Sequence, residues 1–103
     1  MSINLKIISS KTGEVFREKC RSILFTSQGG EVEVLEGHIP LIANIAENTS
    51  VIITCENEEK MAFFTPSNGF FTLNHNDCLI TLVSCEKREL EQKSNYTKVK
   101  KAS

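Results

Sequence analysis

Residues 29–42 read Gly-Gly-Glu-Val-Glu-Val-Leu-Glu-Gly-His-Ile-Pro-Leu-Ile, and this stretch contains the clearest structural signals in the chain. Val32 and Val34 alternate with Glu31 and Glu33, which is the pattern of a strand with one buried and one solvent-facing side. Glycines precede and follow this strand, and a proline comes before the next apolar run. Because glycine and proline favour turns, the stretch predicts a short strand between two turns.

Most of the chain before the charged C-terminus repeats this pattern of short apolar strands bounded by turn residues. Residues 51–55 are expected to pair with 61–65 in one hairpin, and residues 70–73 with 78–83 in another. Roughly eight to ten such strands, with no amphipathic helix to make a crossover, predict an all-β fold. We expect residues 1–85 to form a β-sandwich of about ten strands.

The character of the sequence changes at residue 86. The last eighteen residues contain six basic and three acidic side chains, and their few apolar residues form no continuous stripe at helical spacing. An isolated helix of this length is marginal in water. We therefore expect residues 86–103 to be a charged tail that is either a frayed helix or disordered.

Composition and charge exclude several classes of protein. The chain has 103 residues, and none of its apolar runs approaches the roughly 20 residues needed to span a bilayer. Residues 1–85 carry ten acidic and six basic side chains, which argues against nucleic-acid binding because that function needs a basic face. The N-terminus also lacks the basic segment and long apolar core of a secretory signal.

The four cysteines do not form a recognisable metal-binding motif. They contain no Cys-x-x-Cys pair, and three of them lie in apolar strand-like runs, where free cysteine behaves as a small hydrophobic residue. We expect reduced thiols in a reducing compartment. With only two histidines and no nucleophile in a known context, we expect no catalytic residue, no metal and no cofactor.

The stretch 29–42 resembles the signature loop of the epsilon subunit of F-type ATP synthases. The family pattern is glycine-glutamate, an apolar residue, glycine, another apolar residue, proline-glycine-histidine, any residue, proline and an apolar pair. Residues 63–73 and 79–83 are similar to the family's later hairpin and to the final strand of its N-terminal domain, so the resemblance covers roughly residues 3–85. It implies a ten-stranded sandwich that binds the gamma subunit on one side and the membrane c-ring below.

The sequence also departs from the family pattern. Asn48, Asn68 and Asn76 stand where the family tends to have glycine, and because asparagine tolerates positive φ, we expect these turns to persist. Glu33 and Glu36 replace a glycine and a proline and add negative charge. The family usually continues into a long helical hairpin that can block ATP hydrolysis. The charged tail is too short for it, so we interpret the tail as a remnant and expect no helical self-inhibition.

The resemblance also implies which residues contact the partners. We expect the interface with the gamma subunit and the c-ring to include Ser10, Gly30, Glu31, Gly37, His38 and Pro40. From the residues alone, His38 fits an exposed or hydrogen-bonded turn histidine better than a metal ligand or a catalytic base. Glu31 alone fits an ordinary solvated strand residue.

The resemblance predicts a non-catalytic rotor subunit of a proton-translocating F-type ATP synthase, which couples the gamma subunit to the c-ring. Such a subunit would be peripheral on the cytoplasmic face of the inner (plasma) membrane, without inserting into it, and monomeric when isolated. The alternative is a free-standing cytosolic β-sandwich that binds a small ligand or a peptide at its loops. A small metal-dependent enzyme ranks third, and binding to gamma and the c-ring distinguishes the first hypothesis from the second.

Overall fold

The computed structural model describes residues 2–89, and this part of the chain contains nine β-strands. The strands are β1 (Ile3–Ser9), β2 (Gly13–Ser27), β3 (Gly30–Leu35), β4 (Leu41–Ile45), β5 (Thr49–Cys55), β6 (Lys60–Thr65), β7 (Gly69–Asn74), β8 (Asp77–Leu82) and β9 (Glu86–Glu89). The prediction of an all-β fold is confirmed. Within these residues, no helix has the length and apolar character needed to cross a membrane.

The strands form two packed sheets that share β2, which is long enough to bend from one sheet into the other. The first half of β2 pairs with β1 and completes sheet I, in the order β4-β7-β8-β1-β2. Its second half pairs with β3 on one side and β5 on the other, and sheet II has the order β3-β2-β5-β6-β9. Because β2 contributes to both sheets, nine strands provide ten strand segments, and the predicted sandwich is confirmed.

A β-bulge lies at the bend of β2. Strand β5 pairs with Cys20 and next with Ser22, so Arg21 is an extra residue on β2. One extra residue shifts the alternation of inward and outward side chains by one position. The bulge therefore keeps both halves of β2 facing the core. The buried residues are Phe16 and Cys20 before the bulge and Ile23 and Phe25 after it.

The hydrophobic core fills the space between the sheets, and two aromatic pairs connect its two sides. Phe16 in sheet I meets Phe63 in sheet II edge to face, with ring centres 5.5 Å apart. Phe25 in sheet II stacks on Phe71 in sheet I at 4.5 Å. Aromatic pairs in these geometries add about 0.5–1.5 kcal/mol beyond the burial of their area. These contacts hold the two sheets in one fixed arrangement.

Both predicted hairpins are confirmed, since β5 pairs with β6 and β7 with β8 in antiparallel register. The prediction for the asparagine turns is only partly correct. Asn48 has a positive φ of 58°, but Asn68 and Asn76 do not. In the two-residue turn between β7 and β8, His75 takes the left-handed conformation with φ of 59°. That turn requires positive φ at its first central residue rather than its second, which is the geometry of a type II′ turn.

Strand β9 corrects the expectation for the beginning of the tail. Residues 86–89, predicted as part of a frayed helix or disordered tail, pair with β6 as an edge strand of sheet II. The guanidinium carbon of Arg88 lies 4.3 Å from the centre of the Phe64 ring, in a cation–π contact. This contact stabilises a strand that has no apolar periodicity. The strands thus continue past the predicted boundary at residue 85, and residues 90–103 lie outside the described residues.

Candidate partner-binding surface

The outward side of sheet I carries apolar side chains that do not belong to the core. Ile42 on β4 is 71% exposed, Phe70 on β7 is 46% exposed, and Val83 directly after β8 is 43% exposed. Ile8 on β1 and Leu79 on β8 are half-buried on the same side. We call these five residues the apolar face.

Strand register brings these residues together although they are far apart in sequence. Residues directly opposite each other on adjacent strands have Cβ atoms about 5 Å apart. The four strands β4-β7-β8-β1 therefore carry an apolar face roughly 14 Å wide. The pairing runs Ile42–Thr72–Leu79–Lys6 in one row and Phe70–Thr81–Ile8 in the next.

Most of the apolar face lies on β4, β7 and β8, whose outward sides carry little charge. Among the outward residues of β4, β7 and β8, Asp77 at one end of β8 is the charged one. On β1, Lys6 lies directly opposite Leu79 on this side of the sheet, and on β2 beyond it Arg17 and Glu14 form an ion pair at 2.8 Å. An exposed apolar patch with a polar rim is typical of a protein-interaction surface.

The outward side of sheet II has a different character, because both of its edge strands carry charged side chains. Glu31 and Glu33 are exposed on β3, and Arg88 is exposed on β9. The apolar residues between these edges are half-buried, and Arg88 lies over the ring of Phe64. Charges on edge strands discourage pairing with another chain. Sheet I therefore presents the better candidate surface for a partner.

Two of the six residues expected at the partner interface border the apolar face. One shallow depression joins Ser10 to Phe70, and a second joins Pro40 to Ile42. The backbone N–H of Ser10 donates a hydrogen bond to the carbonyl oxygen of Leu82 at 2.8 Å, which fixes this turn to the end of β8. Ser10 and Pro40 thus lie at opposite margins of one surface.

Gly30 and Glu31 lie at one end of the sandwich, in and after the turn between β2 and β3. Both residues are exposed, and Gly30 has a φ of 126°, a conformation that residues with a Cβ rarely adopt. Nearby, the N–H of Ala46 donates to the carbonyl oxygen of Thr26 at 2.8 Å, so the connection after β4 lies beside this turn. The Glu31 carboxylate is thereby presented to solvent at the end of the molecule.

Gly37 and His38 lie at the other end of β3. The N–H of Gly37 donates to Oδ1 of Asn76 at 3.2 Å, and the N–H of His38 donates to the carbonyl oxygen of Leu35 at 3.1 Å. Nδ1 of His38 lies 2.7 Å from the carbonyl oxygen of Ile39, and a hydrogen bond there requires the proton on Nδ1. The ring therefore contacts its own loop, as expected of a turn histidine.

The six expected interface residues do not form one cluster. Glu31 lies four residues before Leu35, the last residue of β3, and at about 3.3 Å per residue the strand separates these two by roughly 13 Å, with His38 in the turn after Leu35. The apolar face itself was missed, although the sequence contained a signal for it. Phe70 and Phe71 are adjacent in a strand, so their side chains must point to opposite sides, and one of the two rings must face outward.

The His, Cys, Asp and Glu side chains of the described residues are the groups that could bind a metal ion, and the cysteines could also act as reactive thiols. Within residues 2–89, no three His, Cys, Asp or Glu side chains are placed to hold a metal ion. All four cysteines are free thiols, and burial raises the pKa of Cys20 and of Cys78 to about 12, so both are protonated at neutral pH.

Comparison with known proteins identifies the family. Residues 2–88 match the family described as the ATP synthase delta/epsilon chain, β-sandwich domain. The chain belongs to this family. The predicted resemblance to epsilon subunits is thereby confirmed. A curated relative of this delta/epsilon domain is the ATP synthase epsilon chain of Levilactobacillus brevis, which is 26% identical over 82 residues, or 80% of this chain and 57% of the relative.

Solved structures share the fold of this delta/epsilon domain. One match lies in the mitochondrial ATP synthase of Euglena gracilis, described as OSCP, F1 and c-ring, with a TM-score of 0.76, 20% identity and 93% of this chain covered. Another lies in the central stalk and c-ring of the Tetrahymena thermophila mitochondrial enzyme, with a TM-score of 0.63, 9% identity and 84% coverage. The chain spans 60% and 66% of these two proteins.

Proposed function

We propose that this chain is a non-catalytic rotor subunit of a proton-translocating ATP synthase, which joins the gamma subunit to the membrane c-ring. In this proposal the apolar face binds gamma, and the end of the sandwich at Glu31 contacts the ring. The observation that carries the proposal is the exposed apolar face on a member of the delta/epsilon family. Attachment through these partners would hold the chain peripherally on the cytoplasmic face of the membrane.

The composition of the apolar face supports a protein partner. Ile42 and Phe70 are large side chains that remain strongly exposed in the free chain. Aromatic and aliphatic anchors near the centre of an interface supply most of its binding energy. Ser10 and Pro40 lie at the margins, where a polar rim would surround these anchors. A standard interface buries about 800 Å² on each partner, so it would extend beyond the five residues of the apolar face.

The positions of the two surfaces suit a subunit that connects two partners. The apolar face covers one side of sheet I, whereas Glu31 lies at an end of the sandwich, in the turn region beside the connection after β4. His38 and Pro40 directly precede the strand that carries Ile42, so we assign them to the gamma side. Two partners could therefore bind at the same time without competing for residues.

The fold also suits a mechanical role. Torque is transmitted only if the connecting body does not deform, and protein interiors packed to crystal-like density have low compressibility. Here β2 belongs to both sheets, and two aromatic pairs cross the core between them. A load applied at Glu31 would therefore reach the apolar face through continuous covalent and packed structure.

The proposal is tested by placing charge on the apolar face. We expect the double substitution Ile42→Glu and Phe70→Glu to weaken binding to the gamma subunit of the same organism at least 100-fold, because two carboxylates would be desolvated without partners. The fold should persist because both positions are exposed. Calorimetric titration of purified gamma with the wild-type and variant chains measures the effect.

Leu35→Glu provides a matched control, because Leu35 is also apolar and 54% exposed but lies on β3 in sheet II. We expect it to bind gamma like the wild type. Full binding by the double variant would rule out the apolar face as the gamma site. A wild-type chain that does not bind gamma at all would favour the free-standing binding module instead.

Glu31 and His38 are tested separately, because the structure places them at opposite ends of β3. We expect Glu31→Lys to weaken attachment of the assembled catalytic head to membranes containing the c-ring while gamma binding stays unchanged. His38→Trp should weaken gamma binding instead. Both are expected to change the free energy of unfolding by no more than about 0.5 kcal/mol. Glu33→Lys, two residues along the same side of β3, is the control for the change of charge alone. A loss of several kcal/mol of stability in the Glu31 and His38 variants would show that these residues are structural.

A further inference from the structure

Two buried thiols face each other across sheet II. Cys20 on β2 and Cys55 on β5 are directly opposite in the strand register. Both side chains belong to the hydrophobic core, with exposed fractions of 0% and 4%, so they point to the same side of the sheet. Both are free cysteines.

The backbone hydrogen bonds of Cys55 show which type of antiparallel pair it forms with Cys20. Its N–H donates to the carbonyl oxygen of Glu59 at 2.8 Å, and its carbonyl oxygen accepts from the N–H of Glu58 at 3.0 Å. Both groups thus bond toward the turn before β6 and away from β2. Cys20 and Cys55 are therefore a non-hydrogen-bonded antiparallel pair, in which the Cα atoms are about 4.5 Å apart. A disulfide requires a Cα separation of about 4.4–6.8 Å.

The register excludes the other buried cysteine as a partner for Cys20. Cys78 is on β8, and β1 lies between β8 and β2. Two strand spacings place the backbones of β8 and β2 about 9.6 Å apart. This separation exceeds the roughly 7 Å beyond which a disulfide needs backbone movement.

We propose that Cys20 and Cys55 form an oxidisable dithiol site, which a peroxide converts into a cross-strand disulfide. In the first step the Cys55 thiolate attacks one peroxide oxygen, giving a sulfenic acid and, after proton transfer, one water. In the second step Cys20 attacks that sulfur, forming the S–S bond and releasing a second water. The two thiols are oxidised by two electrons in total, and one hydrogen peroxide is reduced to two waters.

The surroundings of the two thiols determine the order of these steps. Cys55 lines a surface depression with Glu18, Lys19 and residues 56–57, which gives the oxidant access. Cys20 has no exposed surface, so it is the resolving thiol. Burial, then Glu18 and Glu59, raise the pKa of the Cys55 thiol. Because the thiolate is the reactive form, the site should react slowly at neutral pH and faster as the pH rises.

The disulfide would tie β5 to the bend of β2, beside the bulge at Arg21 where that strand passes from sheet I to sheet II. It would close a loop between residues 20 and 55, and a loop of this length restricts the unfolded chain strongly. We expect the oxidised chain to have a melting temperature roughly 10 °C higher than the reduced chain.

Tryptic mapping of the peroxide-treated folded chain distinguishes the possible links. The cleavage sites separate Cys20 in peptide 20–21 from Cys55 in peptide 22–60, and both from the other two cysteines in peptide 61–87. We expect peptide 20–21 to be linked to peptide 22–60 as the main product, at a rate that increases with pH.

Serine variants provide the controls. Cys20→Ser and Cys55→Ser should abolish both the link and the rise in melting temperature, whereas Cys78→Ser and Cys85→Ser should retain both. A link from peptide 20–21 to peptide 61–87, a dimer joined between chains, or oxidation of Cys85 with Cys20 and Cys55 still reduced would each overturn the proposal. Since none of these measurements involves gamma or the c-ring, the outcome is independent of the proposed rotor function.

Discussion

Replacing Phe71 with alanine should lower the free energy of unfolding by about 3–5 kcal/mol. Phe71 has no exposed surface, and its ring stacks on Phe25 of the opposite sheet at 4.5 Å. Truncation would leave a cavity between the sheets and remove one of the two aromatic pairs that cross the core. Small domains are stable by only about 5–15 kcal/mol, so a large part of the total would be lost.

The neighbouring Phe70 supplies the matched control, because it is the same residue type in the same strand but is 46% exposed. We expect Phe70→Ala to change the free energy of unfolding by less than about 1 kcal/mol. Urea unfolding followed by circular dichroism measures both variants. Equal losses would contradict the assignment of Phe70 to the outward side and Phe71 to the core.

The second large effect is expected at Gly69, where β7 passes close to β8. A Cβ at this position would lie 2.3 Å from Cδ2 of Leu82 and 3.1 Å from the carbonyl oxygen of Thr81. Leu82 is 1% exposed, so its side chain has no free space to occupy, and the carbonyl belongs to the paired backbone. We expect Gly69→Ala to lower the free energy of unfolding by about 1–3 kcal/mol through overpacking.

Gly29→Ala serves as the control for this substitution. A Cβ on Gly29 would meet only Ser27 Oγ at 3.9 Å, which is an ordinary van der Waals contact. We expect a change within about 0.5 kcal/mol. Thermal unfolding of both variants provides the comparison, and a Gly69→Ala chain as stable as the Gly29→Ala chain would show that β7 and β8 can separate without penalty.

Features encoded by neighbouring residues could be predicted from the sequence. Val34 is buried while Glu31 and Glu33 are exposed, as the alternation in residues 29–42 indicated. The two hairpins were also predictable, because each combines two apolar runs with a short polar connection. In such segments, local preference and tertiary packing favour the same structure.

Features that depend on distant parts of the chain could not be predicted in this way. Strand β2 continues through the polar residues around Arg21 by means of the bulge, although these residues have no apolar alternation. Strand β9 has no apolar alternation and depends on β6 and on the contact between Arg88 and Phe64. Neither a bulge nor an edge pairing leaves a periodic pattern in its own segment.

The arrangement of the candidate site also depends on residues that are distant in the sequence, so only parts of it could be predicted. Ser10 and Pro40 do border the apolar face, but Ile42 and Phe70 become neighbours only through the pairing of β4 with β7. Glu31 and His38 are close in sequence, yet an extended strand places them far apart in space. Proximity in a sequence motif therefore did not translate into proximity on the surface.

The central position of β1 has a consequence for the order of folding during synthesis. This strand is made first, but its parallel partner β8 begins at Asp77, which pairs with Asn4. Until β8 has been made, one edge of β1 has no partner, and sheet I stays open with Ile3, Leu5 and Ile7 uncovered. Closing so long a loop is slow, so we expect folding in milliseconds to seconds and only after nearly the whole sandwich has been translated. The nascent chain is therefore most vulnerable to aggregation just before its last strands are made.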